Sequence, residues 1–206
     1  MDKQTGAIIL AGGRSTRMGT NKALLRLSPG VHTVIERVVS RLGEAGLAPD
    51  LLITNTPREY AFLGVPMVPD DVPGAGPMGG ILTALNHSPC ERVLVVACDM
   101  PMLNPLLLRY MASLPGNYDA LIPCWTDVSG RERLETLHAI YSRGCIGPIS
   151  ERIKAGDLKV AALAEDIRVR YLDEEEMRRY DPRLQSFRNV NTPEEWEELM
   201  GKKRVS

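Results

Sequence analysis

An α/β fold with a mostly parallel sheet is predicted by two observations on the 206-residue sequence. Short apolar runs alternate with helical patterns over the first 150 residues, and each run is apolar throughout rather than at every second position. Continuous apolar runs are the mark of strands buried on both faces, as the strands of a parallel sheet are when crossover helices cover it. In order, Ala7 to Leu10 (AIIL) predicts the first strand. Val34, Ile35, Val38, Val39 and Leu42 then recur at helical spacing, with Glu36, Arg37, Arg41 and Glu44 on the opposite side, which predicts an amphipathic helix. Leu51 to Thr54 (LLIT) predicts a second strand, Gly79 to Asn86 a short helix, Val93 to Ala97 (VLVVA) a third strand and Pro105 to Ser113 another helix. A last strand is expected at Ile167 to Leu172. Asp173 to Glu176 opens an exposed helix, since acidic residues favour a first turn. Thr192-Pro-Glu-Glu195 reads as a capping box with proline at the first helical position, predicting a helix over Pro193 to Met200.

Length and composition fix one domain with a real core. The chain has 44% hydrophobic residues, and a chain of this size buries roughly 70% of the surface its unfolded form exposes. Twenty-five Lys and Arg against 26 Asp and Glu leave a formal net charge of −1, so there is no global positive field to hold duplex nucleic acid. Ten aromatic residues give few stacking platforms for single strands. Cys90, Cys98, Cys124 and Cys145 contain no CxxC pair to grip zinc. No apolar stretch reaches the 18 or more residues that span a bilayer, and no export signal is visible at the start. The expectation is a cytoplasmic protein with reduced thiols and neither membrane nor nucleic acid among its partners. Residues 151 to 206 carry 25 of the chain's 51 charges, read as solvated helix faces.

Three loops carry chemistry. The first, Leu10-Ala-Gly-Gly-Arg-Ser-Thr-Arg-Met-Gly-Thr-Asn-Lys22, follows the first strand directly. Its glycines let backbone N–H groups approach a ligand, and Arg14, Arg17 and Lys22 favour an anion, so a phosphate chain is the natural guest. The loop lies where open parallel sheets bind ligands, beyond the carboxyl ends of their strands. Five residues lie between Gly13 and Gly19 and Thr20 follows, so the Walker A spacing fails; adjacent Gly12 and Gly13 break the GxGxxG pattern. The second loop is Cys98-Asp-Met-Pro101, which sets Asp99 at the same rim, a hard oxygen ligand suited to Mg²⁺ that otherwise reads as a turn former. The third is Pro69-Asp-Asp-Val-Pro-Gly-Ala-Gly-Pro-Met-Gly-Gly80, too rich in glycine for packing alone.

Leu10-Ala-Gly-Gly13 with Arg17-Met-Gly19 and Lys22, Gly76-Pro-Met-Gly-Gly80, Cys98-Asp-Met-Pro101 and Asn189-Val-Asn-Thr-Pro193 stand in the order seen in molybdenum cofactor guanylyltransferases. The sequence resembles that family from about residue 6 to 199. The resemblance implies a single-domain, Rossmann-like three-layer sandwich of the nucleotide-diphospho-sugar transferase type, with a nucleotide-binding half over 1–115 and an acceptor-binding half over 116–206. It implies transfer of GMP from GTP to molybdopterin or the molybdenum cofactor, release of pyrophosphate, a Mg²⁺ requirement and possible cofactor-delivery proteins as partners. The family's nucleotide contacts fall on Leu10, Ala11, Gly12, Lys22, Asn55, Asp71 and Asp99, with Gly13 and Arg14 in the same loop. Asp99 would also hold the metal, while Lys22 with Arg14 or Arg17 steadies the leaving group. Asn189 and Asn191 would close the acceptor pocket, or else serve local turn and capping chemistry. Trp125 to Arg133 reads as a wall over the acceptor or as a plain loop. Gly19-Thr-Asn21-Lys22 departs from the family pattern, being one residue shorter with Asn where Asp is usual, and this bears on the pose of Lys22. Alternative readings are a cytidylyltransferase on the same acceptor, a sugar-phosphate nucleotidyltransferase and a non-catalytic nucleotide-binding adaptor. Leu-Ala-Gly-Gly in place of Leu-Ala-Ala-Gly favours GTP over CTP.

Overall fold

The computed structural model describes residues 5–12, 21–26, 32–127, 129–189, 192 and 195–196. Its strands are β1 (Thr5–Leu10), β2 (Leu51–Ile53), β3 (Met67–Val68), β4 (Arg92–Ala97), β5 (Ala120–Thr126), β6 (Glu132–Leu134), β7 (His138–Ser142) and β8 (Val169–Leu172). The helices are α1 (Val34–Glu44), α2 (Pro57–Tyr60), α3 (Gly76–His87), α4 (Pro105–Ser113), α5 (Ile146–Lys154) and α6 (Glu174–Arg178). One sheet runs in the order β3-β2-β1-β4-β7-β5-β6, with β8 paired to β5. The ladders β1/β2, β1/β4, β2/β3 and β5/β8 are parallel. The β4/β7, β5/β7 and β5/β6 ladders are antiparallel.

The three layers follow from the alternation of side chains along the buried strands. In β1, Ala7 and Ile9 join a core with Ile35, Val38 and Leu42 of α1 and Leu107, Leu108 and Met111 of α4. Ile8 and Leu10 join the other core, with Met78, Ile81 and Leu85 of α3 and Ile149 of α5. All six residues of β1 are buried, which is why it reads as a continuous apolar run. The helix α1 starts where Thr33 and Glu36 exchange capping hydrogen bonds. The helix α4 starts where the Asn104 side chain accepts from the Leu106 and Leu107 N–H groups.

Predicted elements at 7–10, 34–42, 51–54, 79–86, 93–97, 105–113 and 167–172 correspond to β1, α1, β2, α3, β4, α4 and β8 within a few residues. The acidic run from Asp173 opens a helix as predicted: α6 begins at Glu174, and Asp173 is its cap, its side chain accepting from the Glu176 N–H. The predicted helix at Pro193 to Met200 lies largely outside the described residues; within it, the Glu195 N–H donates to Thr192 Oγ1 at 3.2 Å. In the polar stretch from Trp125 to Arg133, Val128 of which lies outside the described residues, Trp125 and Thr126 of β5 pair antiparallel with Arg133 and Glu132 of β6. Asp127 organises its turn by accepting from Ser129, Arg131 and Arg133, and these bonds hold its carboxyl well below the usual carboxylate range.

The chain runs outward from β1 to β2 and β3, then returns across β1 to β4. The loops after β1 and β4 therefore diverge at a topological switch point, where an open α/β sheet leaves a crevice. The helix α3 packs tightly below this crevice. A Cβ added at Gly79 would stand 2.9 Å from Ala75 Cβ and 3.0 Å from the Val72 carbonyl oxygen, so backbone would have to move. Gly79→Ala is accordingly expected to lower stability by about 1–2 kcal/mol despite alanine's better helix propensity. A urea midpoint equal to or above that of the parent protein would refute this.

Candidate active site

A cavity of about 560 Å³ occupies the switch point. Its walls come from the ends of neighbouring strands. Leu10, Ala11 and Gly12 approach from β1, Asn55, Thr56 and Glu59 from beyond β2, and Cys98 and Asp99 from beyond β4. Gly74, Gly76 and Pro77 form the edge at the start of α3, and Glu135, Leu137 and Asn189 come from the later part of the chain. The Ala11 N–H donates to the Ile53 carbonyl and the Cys98 N–H to the Leu10 carbonyl, at 2.9 and 3.2 Å, so these loops leave the sheet in register. Gly74 and Gly76 take φ of +94° and +60°, which bends the chain into the first turn of α3.

Asp99 is partly buried, and burial pushes its carboxyl above the usual range. The N–H of its own backbone and the positive charge of Lys22 act in the opposite direction. Lys22 thus sits within electrostatic reach of Asp99, in a short 3₁₀ turn over Lys22–Leu24. Glu135 is a second carboxylate raised by burial, and the charge of Asp99 raises it further. The strand register explains their meeting. Val96 pairs with His138 in the antiparallel β4/β7 ladder, and the Ala97 N–H reaches the Leu137 carbonyl at 3.0 Å. Continuing that count brings Asp99 opposite Glu135. The Glu135 backbone is anchored by its N–H to the Pro123 carbonyl, and its Oε1 accepts from the Leu137 N–H. Burial pushes the Cys98 thiol up to about 12, so at neutral pH it is a thiol and not a thiolate nucleophile.

Leu10, Ala11, Gly12, Asn55, Asp99 and Asn189 all line this one cavity. Gly13, Arg14, Arg17 and Asn191 lie outside the described residues. Asp71 is placed elsewhere: its carboxylate accepts from Asn86 Nδ2 at 3.0 Å and meets His87 Nε2 at 2.9 Å on the surface of α3, and these bonds lower its pKa. Its neighbour Asp70 is the member of the pair that lines the cavity, held by an N–H to Asn55 Oδ1 at 3.1 Å and by Thr83 Oγ1 at 3.2 Å. One position in this loop thus decides which carboxylate faces the cavity. Sequence reasoning also passed over Glu135. Its only signal is an acidic residue just before a buried strand, and nothing local links it to Asp99, 36 positions earlier.

Among the described residues no group of three or more His, Cys, Asp and Glu is placed to hold a metal. The two carboxylates nonetheless fit a hard divalent cation, because Mg²⁺ characteristically takes one or two carboxylates and completes its shell with water and phosphate oxygens. Among the described residues, no helix is long and apolar enough to cross a membrane.

Residues 7–170 match the family model of the MobA-like NTP transferase domain. Over 191 residues, 92% of this chain and 89% of the relative, the sequence is 40% identical to a probable molybdenum cofactor guanylyltransferase of Pelotomaculum thermopropionicum. It is 34% identical over 192 residues to the protein of the same description from Carboxydothermus hydrogenoformans, covering 93% of each chain. Among solved structures it resembles molybdopterin-guanine dinucleotide biosynthesis protein A from Archaeoglobus fulgidus, with a TM-score of 0.76 and 26% identity over 96% of this chain and 100% of that one. A sheet open at its switch point, a glycine-edged cavity there and a family match over most of the chain agree: this protein is a nucleotidyltransferase of the MobA-like NTP transferase family.

Proposed function

We propose that this enzyme transfers GMP from GTP to the terminal phosphate of molybdopterin or its molybdenum form, releasing pyrophosphate. The observation that carries the reading is the convergence of Leu10 to Gly12, Asn55 and Asp99 on one cavity in a chain 40% identical to a probable molybdenum cofactor guanylyltransferase. An oxygen of the acceptor phosphate attacks the α-phosphorus of GTP, the bond between that phosphorus and the bridging oxygen breaks, and the bridging oxygen leaves with pyrophosphate. Such a transfer needs positioning and charge neutralisation more than a nucleophilic side chain. The backbone N–H of Gly12, beside Ala11 at the cavity wall, would bind the nucleotide, and the Asn55 amide would orient it. Lys22, with Arg14 or Arg17, would steady the departing pyrophosphate. Asp99, with Glu135 facing it, would hold Mg²⁺, which when bound neutralises charge on the phosphate oxygens. Glu135, Leu137 and Asn189 line the cavity from residues 116–206, which supports the division into a nucleotide half and an acceptor half. Asn191 would complete the acceptor side.

The test is incubation with Mg²⁺, molybdopterin and either GTP or CTP, with separation of the dinucleotide and assay of pyrophosphate. Guanine dinucleotide and an equal amount of pyrophosphate are expected from GTP. Product from CTP alone would overturn the choice of base, and product from neither would overturn the reaction.

A further inference from the structure

Asn21 stands immediately before Lys22, and both polar atoms of its side-chain amide are engaged. The Oδ1 atom accepts from the Ala23 N–H at 3.2 Å, capping the 3₁₀ turn that carries Lys22. The Nδ2 atom donates to Glu59 Oε2 at 2.6 Å and to the Tyr60 hydroxyl at 2.9 Å. Glu59 and Tyr60 belong to α2, 38 and 39 positions later, on the wall of the cavity that follows Asn55. Tyr60 is buried and its hydroxyl is pushed up to about 12, chiefly by that burial, so it is a neutral, fixed partner. One amide thereby joins the turn bearing Lys22 to the cavity wall formed by α2. An amide is suited to this work because it offers one acceptor and two donor hydrogens together. A carboxylate at position 21 would keep the cap and lose both donors, with the Glu59 carboxylate at hydrogen-bonding distance.

We propose that Asn21 is a positioning residue that sets Lys22 against the phosphates by tethering its turn to Glu59 and Tyr60 of α2. The inference rests on the guanylyl-transfer reading for its substrate, but the tether itself belongs to the chain. Because Asn21 acts through Lys22, its loss falls on the step in which charge grows on the leaving pyrophosphate more than on ground-state binding. The pairing with Glu59 also predicts a charge-swapped rescue. In Asn21→Asp the two carboxylates repel, and in Asn21→Asp with Glu59→Gln the glutamine amide donates to the new carboxylate, restoring the link in reverse.

The experiment measures kcat for dinucleotide formation, the Kd of Mg²⁺·GTP without acceptor and the thermal midpoint for the parent, Asn21→Asp, Glu59→Ala and the Asn21→Asp/Glu59→Gln pair. Asn21→Asp is expected to lower kcat about 10-fold or more with roughly threefold or smaller change in Kd, and the pair to return kcat to within about threefold of the parent. Glu59→Ala, which weakens the tether from its exposed end, is expected to lower kcat by a smaller factor of about three or more. Parental kcat in Asn21→Asp overturns the tether, as does a pair no better than the single variant. If Asn21→Asp fails to unfold cooperatively, the pair and Glu59→Ala decide: recovery in the first with loss in the second supports the proposal, and parental kcat in Glu59→Ala overturns it. A parent that binds Mg²⁺·GTP but forms no guanine dinucleotide defeats the guanylyl-transfer reading. In that case the tether is judged by Mg²⁺-dependent pyrophosphate release from GTP in the same four proteins, where the same rank order supports it and equal rates overturn it.

Discussion

Asp99→Asn is expected to lose turnover by about 100- to 1,000-fold, equivalent to roughly 3–4 kcal/mol of transition-state stabilisation. The asparagine is nearly isosteric, so the cavity keeps its shape while the negative charge that would hold a divalent cation is removed. Burial makes that charge consequential. Asp99 is partly buried, where a charge interacts more strongly than in bulk water, and burial outweighs the opposing effects of its backbone N–H and of Lys22. Glu135→Gln is expected to give a smaller loss, about 10-fold, because Asp99 remains. Binding of Mn²⁺, followed by electron paramagnetic resonance without nucleotide, separates a cation role from a general loss of activity. Both variants should weaken Mn²⁺ binding, Asp99→Asn more. Parental Mn²⁺ affinity in Glu135→Gln would limit Glu135 to shaping the acceptor side. Parental turnover in Asp99→Asn would remove Asp99 from the reaction.

Acid destabilisation centred on His138 is the second large effect. This histidine is fully buried in β7, its ring packed against Phe187 with centroids 4.9 Å apart, and burial lowers its pKa from 6.5 to about 4 despite the attraction of the Asp181 carboxylate. The folded state thus binds a proton less readily than the unfolded chain. Its full stability is present above pH 6.5 and falls as the pH drops from 6.5 towards 4, where the loss reaches about 3 kcal/mol. Asp99 and Glu135, whose folded pKa values are raised, work in the opposite direction: their unfavourable burial as carboxylates is relieved by acid. A single unfolding curve therefore mixes these effects, and the useful quantity is a difference. Stability of the parent and of His138→Leu, measured by urea unfolding at steps from pH 7 to pH 4, should show a shallower decline in the variant. Parallel declines would mean that His138 does not titrate between the folded and unfolded states in this range.

The fold was legible where a signal is local. Val34 to Leu42 shows its helix through the spacing of its apolar residues, and Ala7 to Leu10 and Val93 to Ala97 show their strands because burial on both faces demands an unbroken apolar run. Strands β3, β5, β6 and β7 and helices α2 and α5 were not predicted from the sequence. Strands β3 and β6 are two and three residues long, β5 carries a proline that argues against a sheet interior, and β7 is a run whose histidine and tyrosine mask its burial. The antiparallel placement of β7 beside β4 was equally hidden, since pairing direction depends on where the chain returns and not on composition.

Local patterning along the chain carries the α/β class, the order of the first strands and helices and the residues of three loops expected at one rim. All of these follow from apolar periodicity and from the backbone freedom of glycine, which act over a few neighbouring residues. Which carboxylates share the cavity depends on how the folded chain brings distant segments together. The fold turned Asp71 to Asn86 and His87, set Asp70 facing inward and brought Glu135 opposite Asp99. It also joined Asn21 to Glu59 and Tyr60. The physical reason is that a side chain's direction in a loop, and its neighbour across a sheet, are fixed by the register of strands far apart in the chain. A one-residue change in that register leaves the local pattern intact and exchanges the groups that meet.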